Sequence, residues 1–376
     1  MSSLARLSGR GSALGAIRSG LALLASLIAL LLAAPSTAGA ATPPSPTALG
    51  PTPAGFFGVS GRHLDFDDLN AMEDAGVGIY RSLFHFSLAK PSQNGIYDWT
   101  ELDKLVGRTA AHDIQLLPLL FGTPKWISKH AAVPPIYSQS ARDAWSRLLS
   151  QLTNRYGPHG LYWRLHPFAH YHPITAWQIW NEPNSSSFWG SNPSPLEYAK
   201  LVTISAQAIH RVDPKATIVS AGVVADPVGL HVIPGPEYLA QLSAQPAARA
   251  VIDKYGYHPY AENAPGVRDA LIDARAVLAA NDPGAPIWVT EVGWGSDFLL
   301  GNILLKTPEG QAKALRGTFS MILRKRKRLG VQRALWYYWR DQADPFCIWC
   351  RSAGLLEPDH TPKPAYSAFR LLANRR

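Results

Sequence analysis

Cysteine is scarce in this chain. Among 376 residues there are two, Cys347 and Cys350, in the sequence Cys-Ile-Trp-Cys. In a reducing cytosol this spacing would hint at redox or metal chemistry, but zinc needs two more ligands and no second cysteine pair supplies them. In an exported protein the same pair predicts a local disulfide, here in the loop that follows the last strand.

Charged residues and long hydrophobic runs are also few. Charged side chains make up 17% of the chain, against 47% hydrophobic residues. This composition excludes a disordered chain, and the length is sufficient for one large buried core. The longest apolar run, residues 21–34, is short for a membrane span, and no other segment is apolar enough to cross a bilayer.

The N-terminus has the pattern of an export signal. Three arginines precede the apolar run, and Ala38-Gly39-Ala40 follows it as a small-residue cleavage site. We predict a signal peptide at 1–40, with an uncleaved N-terminal anchor as the alternative. Residues 41–54 are rich in proline and predict a linker, which leaves 55–376 as the folded domain. The protein is therefore expected to be secreted or associated with the cell envelope.

Positive charge exceeds negative charge. The formal net charge is +9, and loss of residues 1–40, with three arginines and no acids, leaves +6. Five consecutive basic residues occupy 324–328. They fit the solvated C-terminal end of a helix, where cations complement the helix dipole. The alternative is adhesion to an acidic envelope polymer or membrane surface. No motif predicts a nucleic-acid partner.

Short apolar segments alternate with longer helical patterns, which predicts a parallel sheet with crossover helices. Eight strands are expected, at 56–60, 79–83, 114–120, 176–180, 217–221, 254–257, 287–290 and 334–338. Helices are expected between them, for example at 141–155, 196–211 and 307–326. This rhythm predicts an α/β protein with a single (β/α)8 barrel. An open doubly wound sheet is the second choice, but Gly58-Val59-Ser60-Gly61 lacks a nucleotide-binding fingerprint.

Two of the predicted strands end in a glutamate. The first apolar run ends in Asn181-Glu182-Pro183, and the second ends in Thr290-Glu291. The carboxyl ends of barrel strands carry the chemistry of such folds. Cleavage of a glycosidic bond requires a pair of carboxylates, and two carboxylates at this edge, with tryptophans around them, meet that requirement.

These motifs resemble the acid/base and nucleophile strands of clan A glycoside hydrolases of the family 5 or family 39 type. Those enzymes are retaining and have a (β/α)8 barrel. The resemblance covers about residues 55–369 and includes further positions: Arg81, Tyr97-Asp98-Trp99, Thr123-Pro124-Lys125-Trp126, His258-Pro259-Tyr260 and Lys363-Pro364-Ala365-Tyr366.

The resemblance implies a role for each candidate. Glu182 would be the acid/base, in apolar surroundings that raise its pKa, and Glu291 the nucleophile, kept ionised by Arg81. The other candidates would support the nucleophile or bind sugar. Asn181 would contact the sugar 2-hydroxyl, and His258 and Tyr260 would support the nucleophile and the first sugar. Trp339 would form an aromatic floor, with Trp336 as the alternative, and Trp126 and Trp294 would line outer subsites.

Some positions depart from the family pattern. Lys90 stands where an acid is usual, Phe86 replaces a tryptophan, and Leu120-Phe121 replaces a histidine. These changes remove polar contacts to the sugar and affect the substrate rather than the reaction. A cluster of histidines, His166, His170 and His172, is not expected to bind metal, because no carboxylate spacing supports it.

The sequence therefore predicts an exported, monomeric retaining β-glycosidase that acts on an oligosaccharide or polysaccharide and needs no cofactor. A non-catalytic glycan-binding barrel is the main alternative, and a transglycosylase would use the same two residues. An inverting enzyme would need a more distant partner, such as Asp226, Glu262 or Asp297. Endo or exo action stays open.

Overall fold

The computed structural model describes residues 49–61, 64–190, 192–227, 229–343 and 347–375. The predicted signal peptide or anchor and most of the predicted linker lie outside these residues. Among the described residues, no helix has the length and apolar character needed to span a membrane.

Strands and helices alternate along the described chain, as the sequence predicts. The strands are β1 (Phe57–Gly61), β2 (Ile79–His85), β3 (Gln115–Phe121), β4 (Ala176–Ile179), β5 (Thr217–Val219), β6 (Val223–Val224), β7 (Tyr255–His258), β8 (Ile287–Val292) and β9 (Val331–Tyr337). Every predicted strand is present, and the fifth is divided into β5 and β6.

Helices fill the connections between the strands. They are α1 (Phe66–Ala75), α2 (Phe86–Ala89), α3 (Thr100–Ala111), α4 (Gln139–Tyr156), α5 (Leu161–Leu165), α6 (Ser186–Trp189), α7 (Pro195–His210), α8 (Gly235–Ser243), α9 (Pro246–Arg249), α10 (Ala264–Asn281), α11 (Pro308–Leu329) and α12 (Pro364–Ala373). Their ends follow ordinary capping rules. The Ser138 side chain accepts the Ala141 N–H at the start of α4, and Gly330, with φ of 67°, ends α11.

The strands form one parallel sheet that closes into a barrel. The order is β5-β4-β3-β2-β1-β9-β8-β7-β6. Two parallel bridges join its edges, one between Val219 and Lys254 and one between Asn181 and Gly222. β5 and β6 are thus two halves of one barrel strand, and the predicted (β/α)8 barrel is confirmed.

Side chains inside the barrel change from apolar to polar along the strands. A buried apolar layer fills the interior at one level: Ile79, Leu117, Ala176, Val219, Trp288 and Leu335. Full burial of each aliphatic side chain stabilises the fold by about 1.5–3 kcal/mol. Because strand side chains alternate with period two, the next inward residues on β2, β4 and β8 are Arg81, Gln178 and Thr290. The apolar layer therefore closes the barrel below a polar layer at the carboxyl ends of the strands.

The loop after β9 is fastened at several points. Cys347 and Cys350 form a disulfide, which confirms the predicted bond. The buried Lys363 ammonium forms an ion pair with Asp341 and donates to the Ser352 carbonyl at 3.1 Å. The described parts of this loop, 338–343 and 347–363, lie at the carboxyl end of the barrel and are held by these contacts.

Candidate active site

The first carboxylate follows β4 at a tight bend. Trp180 and Glu182 both have positive φ, 71° and 39°, which is uncommon for residues other than glycine. The Trp180 ring is fully buried, and its Nε1 donates to the Phe188 carbonyl at 2.7 Å. The Glu182 N–H donates to the Gly222 carbonyl at 3.2 Å. These contacts hold the strained bend, which brings the Glu182 carboxylate to His258 on β7.

The second carboxylate, Glu291, lies within β8 and is 6% exposed. Its Oε1 accepts a hydrogen bond from the Arg81 guanidinium. Its Oε2 accepts one from the Tyr260 hydroxyl at 2.8 Å. Both carboxylate oxygens therefore have a donor, which favours the ionised form of a buried acid.

Arg81, on β2, connects the two strand ends. One terminal nitrogen contacts Glu291, and the other donates to Asn181 Oδ1 at 2.8 Å. The Nε atom donates to Gln178 Oε1. Gln178 in turn donates to Thr290 Oγ1 at 3.2 Å. A planar guanidinium can make all three contacts at once, so Arg81 is locked in one orientation.

His258 lies between the carboxylates and is fully buried. Its Nδ1 is 2.8 Å from Glu182 Oε1 and 3.7 Å from Glu291 Oε2. Its Nε2 is 3.0 Å from Thr290 Oγ1. The ring packs against Gly222, where a Cβ would come within 1.9 Å of Nε2. The imidazole is therefore fixed from both sides.

The two carboxylates differ in their electrostatic surroundings, although an oxygen of each and a ring nitrogen of His258 lie within 4.8 Å of one another. Burial raises the pKa of Glu182, and His258 and Arg81 offset this only in part. Burial also acts to raise the pKa of Glu291, but His258, Arg81 and Tyr260 outweigh it, and the pKa lies below its ordinary value. One group is therefore suited to hold a proton and the other to remain charged.

The predicted aromatic residues do not all join this cluster. Trp339 is 1% exposed, and its Nε1 donates to Asp68 on α1 at 2.9 Å, so it contacts the helical layer. Trp294 is fully buried and donates to the Ala261 carbonyl at 2.9 Å. Trp126 is half-buried in the loop after β3. The alternative floor residue, Trp336, is also fully buried, within the layer between sheet and helices.

Three residues that the sequence did not single out lie at or near the carboxylates: Gln178, Tyr337 and Trp349. Gln178 and Tyr337 each lie two residues after an interior apolar residue, Ala176 and Leu335, and period-two alternation could have identified them. No sequence pattern indicates Trp349, because it lies in a single 3₁₀ turn (Trp349–Ser352) within the loop after β9.

Among the described residues, three groups have the spacing of a metal site. One is Asp65, Asp68 and His360, whose two aspartates already pair with Arg340; the other two lie elsewhere in the barrel. The first of these consists of Glu182, His258 and Glu291. The Arg81 guanidinium already forms an ion pair with Glu291, and its positive charge would repel a cation. The second consists of Asp113, His170 and His172. The carboxylate that the sequence spacing lacks is thus supplied by Asp113, whose Oδ1 is 2.8 Å from His170 Nε2. This group precedes β3 and β4, at the barrel face opposite the carboxylates.

Comparisons with known proteins identify relatives by structure and not by sequence. No family model and no curated protein matches the chain. Similar solved structures include a family 39 glycoside hydrolase from Bacteroides cellulosilyticus, with a TM-score of 0.62 and 19% identity over 85% of this chain. The match covers 63% of that protein, so this chain spans less than two thirds of its length.

Two further solved structures show the same likeness. A monomeric β-xylosidase from Caulobacter crescentus has a TM-score of 0.62 and 20% identity, over 85% of this chain and 68% of that one. A GH5_18 protein from Bifidobacterium longum, solved with Manβ1-4GlcNAc, has a TM-score of 0.62 and 16% identity, over 84% of this chain and 77% of that one. The chain therefore shares the (β/α)8 barrel fold of these solved glycoside hydrolases.

Proposed function

We propose that this protein is a retaining β-glycosidase in which Glu182 is the acid/base and Glu291 the nucleophile. The observation that supports this best is the pair itself: two carboxylates in one cluster, with pKa values displaced in opposite directions. Retaining enzymes place the two groups about 5–5.5 Å apart, whereas inverting enzymes separate them by about 6.5–9.5 Å to admit a water. One oxygen of Glu182 lies within 4.8 Å of one oxygen of Glu291, and this close approach supports the retaining class.

The reaction has two balanced steps. In the first, a Glu291 oxygen attacks the anomeric carbon, the glycosidic bond breaks, and the proton of Glu182 passes to the leaving oxygen. The products are a glycosyl ester on Glu291 and a Glu182 carboxylate. In the second, Glu182 takes a proton from water, whose oxygen attacks the same carbon and releases Glu291. Two inversions leave the sugar with its original configuration.

The surrounding residues prepare both carboxylates for these steps. Arg81 and Tyr260 hold Glu291 charged and fix its orientation before substrate arrives. Asn181, oriented by Arg81, is placed to bind the sugar 2-hydroxyl, a contact that strengthens in the transition state. His258 holds Glu182 and moves no proton in this scheme.

The substrate is proposed to be a neutral β-linked oligosaccharide or polysaccharide. On β2, Leu83 and His85 share the inward face with Arg81, and on β3 Leu119 and Phe121 continue that of Leu117. This wall is mainly apolar, and burial lowers the pKa of His85, which favours its uncharged form, so a neutral sugar suits it better than a charged one. β-Xylosides and β-mannosides are the first substrates to test, because similar solved structures include a β-xylosidase and an exo-β-1,4-mannosidase.

The site of action is proposed to be outside the cytoplasm, at the cell envelope. Three features support this: the N-terminal pattern, the disulfide, which persists in oxidising compartments, and the basic residues. Arg326, Lys327 and Arg328 border a groove of about 600 Å³ at the barrel face opposite the carboxylates. Residues 53 and 56, where the chain enters the barrel, line the same groove. A tethered or adsorbed barrel would thus direct its active site away from the surface.

The proposed reaction is tested by the configuration of the first product. Residues 41–376 are incubated with aryl β-xylosides, β-mannosides and β-glucosides, beside a Glu291→Gln control. Proton NMR then records the anomer released before mutarotation. A β-anomer, formed by the wild type and not by the control, supports retention. An α-anomer, or no turnover of any β-glycoside or β-linked polysaccharide, would overturn the proposal.

A further inference from the structure

An aromatic side chain outside the predicted site lies close to the nucleophile. The Trp349 ring centroid is 5.1 Å from that of Tyr260 and 5.5 Å from that of Tyr337. Tyr260 donates directly to Glu291. Trp349 is half-buried, whereas Trp294 and Trp339 are packed inside the protein. Trp349 thus packs on Tyr260, the tyrosine that donates to Glu291, and part of its own surface is exposed to solvent.

The position of Trp349 is fixed on both sides along the chain. It is enclosed by the disulfide, between Cys347 and Cys350. On its other side, the Ser352 carbonyl accepts the Ser296 N–H at 2.9 Å, which joins the loop after β9 to the loop after β8. The same carbonyl accepts a hydrogen bond from the buried Lys363. A short segment held in this way loses little further entropy when it binds a ligand.

We propose that Trp349 forms the aromatic face of a sugar-binding subsite beside Glu291, and that the Cys347–Cys350 disulfide holds this face in place. The ligand is a pyranose ring of a neutral β-linked oligosaccharide, whose C–H face packs on the indole. A rigid aromatic group with a large apolar surface suits this contact. The proposal rests on the proposed glycosidase function and adds a specific subsite to it.

Substrate binding and turnover are expected to respond differently. Trp349 touches neither carboxylate directly, so its removal weakens affinity more than it slows the chemical step. Trp349→Ala is expected to raise the KM for an oligosaccharide about twofold to tenfold, the range of one aromatic contact. Trp349→Phe is expected to recover most of this loss. The double variant Cys347→Ser/Cys350→Ser is expected to raise KM by a smaller factor.

The experiment compares these variants with Ile348→Ala, which changes an exposed residue of the same loop. Oligosaccharide binding is measured by calorimetry on a Glu182→Gln background, with kcat and KM measured on active protein and folding checked by thermal unfolding. The expected result is weaker binding in Trp349→Ala and in the cysteine pair variant, and unchanged binding in Ile348→Ala.

Three results contradict parts of the proposal separately. Wild-type affinity in folded Trp349→Ala, with hydrolysis intact, overturns the subsite and leaves the glycosidase function standing. If the cysteine variant binds the oligosaccharide with wild-type affinity while Trp349→Ala binds it more weakly, only the role of the disulfide is overturned. Failure of the wild type itself to bind or hydrolyse any oligosaccharide overturns the glycosidase function and the subsite together.

Discussion

Among single residues, Arg81 acts together with His258 and Tyr260 to lower the pKa of Glu291. Its guanidinium contacts Glu291, Asn181 and Gln178 in a buried layer. Without it, burial raises the pKa of Glu291, and a higher pH is needed to ionise the nucleophile. Arg81→Ala is expected to reduce kcat/KM by about 10²–10³-fold and to move the acidic limb of its pH profile upward.

The control for this prediction is Arg81→Lys. It keeps the positive charge but cannot make three planar contacts. Its acidic limb should stay closer to that of the wild type, while turnover still falls. A folded Arg81→Ala enzyme with an unmoved acidic limb would show that another group keeps Glu291 ionised.

Glu182 is expected to matter in proportion to the basicity of the leaving group. Glu182→Ala should lose about 10²–10⁴-fold on unactivated glycosides, the usual contribution of general acid catalysis. It should retain much more activity on dinitrophenyl glycosides, which need little protonation. Added azide should yield a β-glycosyl azide, because the Glu291 ester still forms. If azide instead rescued Glu291→Ala, the acid/base role would belong to Glu291 and the nucleophile role to Glu182.

The sequence identifies the polar members of the site better than the aromatic ones. The polar residues converge because each lies on a barrel strand or directly after one, in a recognisable motif: Arg81, Asn181, Glu182, His258, Tyr260 and Glu291. Trp339 lies two residues beyond the end of β9, where strand alternation no longer determines direction. Its indole is drawn outward by Asp68. Hydrogen-bond partners that are distant in sequence cannot be read from one chain.

Among the elements, the interruption between β5 and β6 positions His258 and Glu182, both of which contact Gly222. Gly222 lies in this gap, and a Cβ there would meet the His258 ring at 1.9 Å. Gly222→Ala is therefore expected to displace the imidazole, destabilise the fold by about 1–3 kcal/mol and reduce kcat about 10²-fold. Thermal unfolding and steady-state kinetics measure the two effects.

Gly284→Ala provides a matched control, because no atom lies within 4 Å of the added Cβ. This variant should have wild-type stability and activity. Equal behaviour of the two alanine variants would show that close packing of Gly222 on His258 does not position the site.

Element prediction succeeds where the chain is strongly patterned. Long amphipathic helices such as α4, predicted at 141–155 and observed at Gln139–Tyr156, have an uninterrupted apolar face. The division of the fifth strand is not predictable, because it depends on pairing with both neighbours. Asn181 forms a parallel bridge with Gly222, and Val219 forms one with Lys254. In each bridge the two residues are far apart in the sequence.

For the whole molecule, the difference in charge between the two faces of the barrel predicts how the barrel is oriented on an anionic surface. The basic residues near the end of α11 lie opposite the carboxylates, and each contributes about 1 kcal/mol of attraction near an anionic bilayer. Residues 41–376 should co-sediment with phosphatidylglycerol vesicles at low salt and be released as salt screens the charges. Arg324→Glu/Lys327→Glu/Arg328→Glu should abolish this binding without changing turnover of a soluble aryl glycoside.

The control reverses three exposed basic residues on other helices, Lys104, Arg147 and Lys200. It changes the net charge equally and should keep more vesicle binding than the α11 variant. Equal loss in both variants would mean that net charge, rather than this face, governs adsorption. Preference for a soluble polyanion over vesicles would assign the face to an envelope polymer instead.

The central claim, that Glu291 is the nucleophile of a retaining glycosidase, is tested most directly by trapping the ester. A 2-deoxy-2-fluoro β-glycoside with a dinitrophenolate leaving group, made on the sugar that supports turnover, is incubated with the wild type. Intact mass and peptide mapping then locate the adduct. We expect one fluoroglycosyl group per chain, carried by Glu291 and absent from Glu291→Gln. An adduct on another residue, or inactivation without any adduct, would contradict it.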